Sequence, residues 1–317
     1  MLVLRPSRLH VASACRSARA HRDIARSNLR RPFIALTLAL CLIPTCRDVQ
    51  ARELCRLRGS VVRLALVPEA SGAAVSRRSP GIVWTHNDSG EPVLFALDTL
   101  GSVQNVVRVA GARVIDWEEV AAGPCPAGAC LYVADIGDNA TQRRDIVIYR
   151  VPEPEPNERR TRSAEVFRAK YPDGSHDAEA IFVTHDGVVF IVTKGDTGPI
   201  ALYSFPQPLR AGTIARLVRV ATIAKKPQRN DWVTGAAASP DGQWVVLRTP
   251  VSLALYRTKD LTRGVVRATS TFDVRGLKEP QGEGVALAND GSMYLTGEGE
   301  RKGWPGTFAR VACALPP

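Results

Sequence analysis

Short apolar runs rich in β-branched residues recur along most of the chain. They read Ile82-VWT, Leu131-YVA, Val188-VFIVT, Trp244-VVL and Met293-YLT. Each is preceded by a turn, and three of the turns are Asp-Gly pairs (Asp186-Gly187, Asp241-Gly242, Asp290-Gly291), which tolerate the positive φ of a two-residue hairpin. Before each turn stands a phrase of polar, small and apolar residues. It begins at Ser71, Glu118, Glu179, Thr234 and Glu283, with spacings of 47, 61, 55 and 49 residues. A third apolar run follows in every repeat and a fourth in the first four, with no helical period anywhere. Four strands per repeat of about 50 residues predict an all-β fold, a β-propeller of five four-stranded blades. Six blades are the alternative, and a β-sandwich lacks such a period. The fifth repeat has no fourth strand of its own. Ser60 to Val67 supplies it, pairing with Thr307 to Val311 and closing the ring with an N-terminal strand.

Composition sharpens the picture. In 317 residues, 45% hydrophobic content suffices for a core, so a wholly disordered chain is excluded. The formal charge of +11 would suggest nucleic acid, but residues 1–51 hold nine arginines against two acids. The remaining 266 residues hold 33 basic and 29 acidic side chains, and no nucleic-acid partner is expected. An Arg-rich stretch, the twelve-residue apolar run Phe33 to Pro44 and Val49-Gln50-Ala51 read as a signal peptide over 1–51. The β-propeller domain is then 52–317, secreted or periplasmic, with no transmembrane segment and a monomer. Arg30-Arg31 fits twin-arginine export as well as ordinary secretion. An oxidising compartment favours disulfides. Cys125 and Cys130 bracket a tight loop, and Cys55 and Cys313 sit at opposite ends of the mature chain and side by side in the closing strand pair, so these two pairings are predicted.

In an antiparallel hairpin the start of the innermost strand lies beside the end of the second. One column across the blades is therefore Ser71, Glu118, Glu179, Thr234 and Glu283. The other is His86, Asp135, Lys194, Arg248 and Glu298. All are polar, and all line one mouth of the channel. Asp116, Glu118, Asp135 and Asp138 offer hard oxygen donors to a divalent cation such as Ca²⁺, although Asp135-Ile136-Gly137-Asp138-Asn139 is also what a tight turn uses. Lys194 and Arg248, with Glu283, are the candidate substrate-binding residues; pairing of each cation with a neighbouring glutamate is the alternative. Glu179 and His86 are the candidate proton carriers.

Trp84-THNDSG, Asp116-WEEVA, Ala134-DIGDN and Asp177-AEAI together resemble a family of exported bacterial β-propellers loosely related to phytase-like and TolB-like propellers. The resemblance runs from Glu69 to Val311 and implies the propeller fold, export and an acidic axial mouth. It carries no reaction over. Those relatives have six blades against the five counted here, so their metal ligands do not transfer residue by residue.

Three functions fit these residues. The first is a divalent-metal-assisted hydrolase of an anionic, phosphoester substrate. The second is a non-catalytic propeller binding a small anionic ligand or a cell-envelope protein, and the third is a five-bladed glycoside hydrolase using Glu179 and Glu283.

Overall fold

The computed structural model describes residues 55–316. The signal-peptide expectation lies outside them. Five small antiparallel sheets form the blades of a propeller, the first four running from an innermost to an outermost strand in chain order. Blade one holds Ala70–Val75, Ile82–Asn87, Val93–Asp98 and Val103–Arg108. Blade two holds Trp117–Cys125, Gly128–Asp135, Ile146–Pro152 and Glu165–Lys170. Blade three holds Ala178–Val183, Val189–Thr193, Ile200–Ser204 and Val218–Ala224. Blade four holds Gly235–Ala238, Trp244–Arg248, Ser252–Arg257 and Ser270–Asp273.

Blade five, Gln281–Leu287, Ser292–Glu298 and Gly306–Cys313, is completed from the other end of the chain. Cys55–Leu57 and Val62–Leu64 both pair with Gly306–Cys313, so the closing strand is broken in two where a single run was expected. Cys55 lies opposite Cys313 in register and is bonded to it; the second disulfide joins Cys125 and Cys130.

The apolar runs are continuous rather than alternating because each sheet is buried on both faces. One core cluster fills each of the five blade junctions. In the second strand of blade two, Leu131 and Val133 pack toward blade one, while Tyr132 and Ala134 pack toward blade three.

Edges are covered by strays from neighbouring repeats, which removes exposed pairing groups. Ile214–Arg216 adds a parallel strand to the rim of blade two. The Pro-rich segment after Pro152 runs along Val103–Arg108, exchanging backbone hydrogen bonds at Arg108 with Arg159 and Thr161. Buried Glu153 anchors that strap, accepting from the Trp84 indole at 2.9 Å and the Ser76 hydroxyl at 2.5 Å.

Five blades leave a narrow axis. A Cβ on Gly284 would strike the backbone of Ser71 and Gly72, and one on Gly235 would strike the carbonyl of Glu283. The Glu119 carboxylate lies across this level, accepting from the N–H groups of Ala73 in blade one, Val120 in its own and Ala236 in blade four, at 2.9–3.0 Å. Beyond it remains an alanine-lined cavity of about 20 Å³, room for about one water.

Candidate functional site: a carboxylate mouth around one lysine

On the face where the innermost strands begin, the polar columns converge as their spacing predicts. In four blades the innermost strand carries a β-bulge there, falling between Ala70 and Ala73, Trp117 and Glu119, Ala178 and Ala180, and Gly282 and Val285. Bulges re-aim a side chain. Glu118, Glu179 and Glu283 occupy these irregular positions and carry the charge of the mouth, while Ser71 and Thr234 are used structurally. Ser71 donates to the Glu118 carbonyl and Thr234 to the carbonyls of Gly282 and Glu283, fastening blade one to two and four to five.

The electrostatics are dominated by one cation. Lys194 pairs with Glu179 and lies 3.6 Å from Asp177. Its ammonium also pulls down the carboxyls of Asp116, Glu118, Glu283 and Glu298, so six acids share it. Burial works against charge on Lys194 itself, but Glu179, Asp177 and Glu118 outweigh it and hold the amine above its ordinary range.

The acids move the other way. Burial, then Glu179, Asp116 and Glu283, push Glu118 well above the usual carboxylate range. Burial, then Glu179 and Glu298, do the same to Glu283, whose Oε2 is buried with no hydrogen-bond partner. Glu179 is pushed up to about 7 by burial, despite the Lys194 charge beside it. On the blade-one side, burial and a hydrogen bond with Glu69 raise Asp88 to about 7.

The four expected metal ligands divide into two pairs. Asp116 and Glu118 come together over Gly137, where a Cβ would strike both carboxylates. Asp135 and Asp138 do not join them. Asp135 accepts from the N–H groups of Ile115 and Asp116 and is paired with Arg143 at 2.8 Å. Asp138 caps its own turn, accepting from the N–H groups of Gln142 and Arg143.

Arg248 lies wholly inside the protein, where its guanidinium bonds the carbonyls of Gly284 and Thr296 and pairs with Glu279 at 2.5 Å. Its charge is spent within the fold, and Glu279 rather than Glu283 is its partner. His86 is buried edge-on against Trp117, bonded through Nδ1 to the Asn87 carbonyl at 2.9 Å. Burial lowers it to about 4, and it stands apart from the glutamates around Lys194.

Sequence reasoning passed over Glu119, the axial clip, and Glu279. The signal for Glu119 was a second charge in Trp117-EEVA, at a position where an innermost strand should turn an apolar side chain inward. Among the described residues, no group of three or more His, Cys, Asp or Glu side chains is gathered to hold a metal ion, and no helix is long and apolar enough to cross a membrane.

No protein-family description matches the chain, and no curated protein matches it. Solved structures resemble it at low identity. With Kuenenia stuttgartiensis hydrazine synthase it shares 15% identity, over 76% of this chain and 59% of that one, with a TM-score of 0.38. For a Xanthomonas campestris gluconolactonase the values are 11%, 76% and 72%, with a TM-score of 0.44. For the PQQ-bound aldose sugar dehydrogenase of Streptomyces coelicolor they are 12%, 81% and 98%, with a TM-score of 0.48. At these scores the likenesses carry nothing about the reaction of this chain.

Proposed function

We propose that the carboxylate mouth is the site of a divalent-cation-assisted hydrolase acting on an anionic substrate, with a phosphoester as the favoured class. The observation that carries this reading is the sharing of one ammonium by six buried or half-buried carboxylates. Like charges held this close in a low dielectric cannot all ionise alone; they take up protons or a counter-cation. Asp116 and Glu118, which come together over Gly137, offer a hard ion such as Ca²⁺ two carboxylates, and water would complete its oxygen shell. The Glu283 Oε2, buried without a hydrogen-bond partner, adds to the uncompensated acid at the mouth. When bound, the ion would polarise the substrate oxygen and favour a hydroxide-like water. It would also let an anion approach a mouth that otherwise repels it.

Glu179 is suited to carry the proton, because its carboxyl titrates at about 7 and is already oriented by Lys194. The test is thermal unfolding of residues 52–317 titrated with Ca²⁺, with and without a chelator, followed by a phosphoester panel. A rise in melting temperature that Glu118→Gln abolishes, and turnover lost in Glu118→Gln and Glu179→Gln, are expected. Unchanged turnover in Glu118→Gln, or no cation response at all, would sink the assignment.

A second reading is favoured by the internal pairing of both expected anion-binding residues, Lys194 and Arg248. In it the mouth is a neutralised binding surface for a ligand or an envelope protein, without turnover. A glycosidase built on Glu179 and Glu283 would instead retain activity in chelator.

A further inference from the structure

With Lys194 and Arg248 committed inside the fold, an anionic substrate must find its cations elsewhere. One cavity of about 140 Å³ supplies them, on the mouth side of the disc and radially outside the acid cluster. It is walled by the loop after the second strand of blade two and by the linker entering blade three. On the measure by which one water needs about 10–15 Å³, it has room for several waters or one small oxyanion.

Its charged lining sorts by availability. Asp138 is consumed by the N–H groups of Gln142 and Arg143, and Asp145 is paired with Arg168 at 2.8 Å. Arg143 is held by Asp135 and the Gly137 carbonyl. Arg144 and Lys170 are different: both are exposed, and neither makes a side-chain hydrogen bond or ion pair among the described residues. Tyr171 also lines the cavity, and its hydroxyl is buried without a hydrogen-bond partner, within electrostatic reach of Tyr203, Asp177, Arg143 and Asp138. Two uncommitted cations around an unpaired buried donor are the chemistry that recognises an oxyanion.

The cavity adjoins the mouth. Only the Gly137–Asp138 turn separates them, with Asp116 and Glu118 pressing on Gly137 from one side and the Asp138 N–H bonded to Asp177 at 2.7 Å. We infer that this cavity is an oxyanion subsite of phosphate size, taking the charged end of a ligand whose reacting end lies over the carboxylate mouth. The second half of that statement rests on the proposed function. Oxyanion binding by the cavity does not.

The test is calorimetric titration of inorganic phosphate into residues 52–317 with a chelator present, so that no cation at the mouth contributes. Saturable binding is expected at millimolar or lower concentration. The double variant Arg144→Glu with Lys170→Glu should weaken it at least tenfold, Tyr171→Phe several-fold, and a charge reversal at exposed Lys259, on blade four, not at all. The charge-reversed side chains are exposed, so the variant should fold, as its melting curve will show. No saturable binding by the wild type, equal binding by the double variant, or equal heat from chloride at matched ionic strength would each overturn the subsite. Phosphate binding that persists when the cation titration fails would remove the metal reading and leave the subsite standing.

Discussion

Replacing Glu119 tests how the ring is held shut. Its carboxylate accepts three backbone N–H groups from three different blades, at 2.9–3.0 Å, and the residue has no exposed surface. Burial alone would drive the proton onto it; the N–H groups of Ala236, Ala73 and Val120, then the Arg248 charge, pull against that. Glu119→Ala strands all three donors where no other acceptor can reach them. At about 1–3 kcal/mol per buried unsatisfied group, the loss is roughly 3–9 kcal/mol. That is comparable with the whole stability of a domain, roughly 5–15 kcal/mol. Glu119→Gln is the discriminating variant. It keeps Oε1 for Ala73 and Val120 but turns an amide N–H toward the N–H of Ala236, donor against donor, for about 2–4 kcal/mol. Urea unfolding followed by tryptophan fluorescence should therefore rank wild type above Gln above Ala. If Ala does not fold, Gln still decides. A Gln variant as stable as the wild type, or an Ala variant within about 1 kcal/mol of it, would refute the axial clip.

Three further outcomes are expected. The Cys55–Cys313 bond spans 258 residues and the Cys125–Cys130 bond 5, so chain entropy assigns them about 5–6 and about 2 kcal/mol; paired Cys→Ala variants compared by thermal unfolding should differ in that order, and equal losses would contradict it. Glu179 ionises at about 7 in the fold against an ordinary 4.5, so the native state keeps a proton that the unfolded chain releases. Stability should then fall as pH rises between about 4.5 and about 7, and Glu179→Gln should flatten the slope; a slope unaltered by that variant would show that another group sets it. Glu153→Ala leaves the Trp84 indole and Ser76 hydroxyl unpaired, at about 1–3 kcal/mol per group, and should open the strap after Pro152 to protease before the rest of the chain; simultaneous cleavage elsewhere would argue against a separate anchoring role.

The repeat was legible because each blade must bury both faces of four short strands, which imposes the same apolar runs and tight glycine turns five times, three of the turns being Asp-Gly. Ring closure was legible from a shortage: the fifth repeat lacked a strand, and an apolar run stood unused before blade one. What could not be read was which member of each polar column would look inward. Ser71 and Glu118 both fall in a bulge and look equivalent in the chain, yet the short Ser71 hydroxyl bonds the Glu118 carbonyl while the longer Glu118 side chain carries its carboxylate to the mouth. Arg248 shows the same limit. Its column position promised a ligand contact, but Gly282 beside it has no Cβ, and the guanidinium fills that space to reach Glu279.

That substitution of backbone for side chain also explains why the mouth is so acidic. With five blades the innermost strands stand close enough that Gly72, Gly235 and Gly284 are needed where they meet, and Glu119 occupies the remaining width. Side chains at the top of those strands cannot retreat down the axis, because the axis is full. Glu118, Glu179 and Glu283 are therefore held against one another at the rim, and the single lysine between them is too little positive charge to satisfy six acids. A cluster used only for stability would be expected to carry matched cations, since unpaired buried charge is costly. Two uncommitted cations, Arg144 and Lys170, line the cavity outside the cluster across the Gly137 turn. The separation of unsatisfied acid from unsatisfied base, with Gly137 thin enough to let both sides approach, is what a site requires if a cation is to bind at one end of a ligand and its anion at the other.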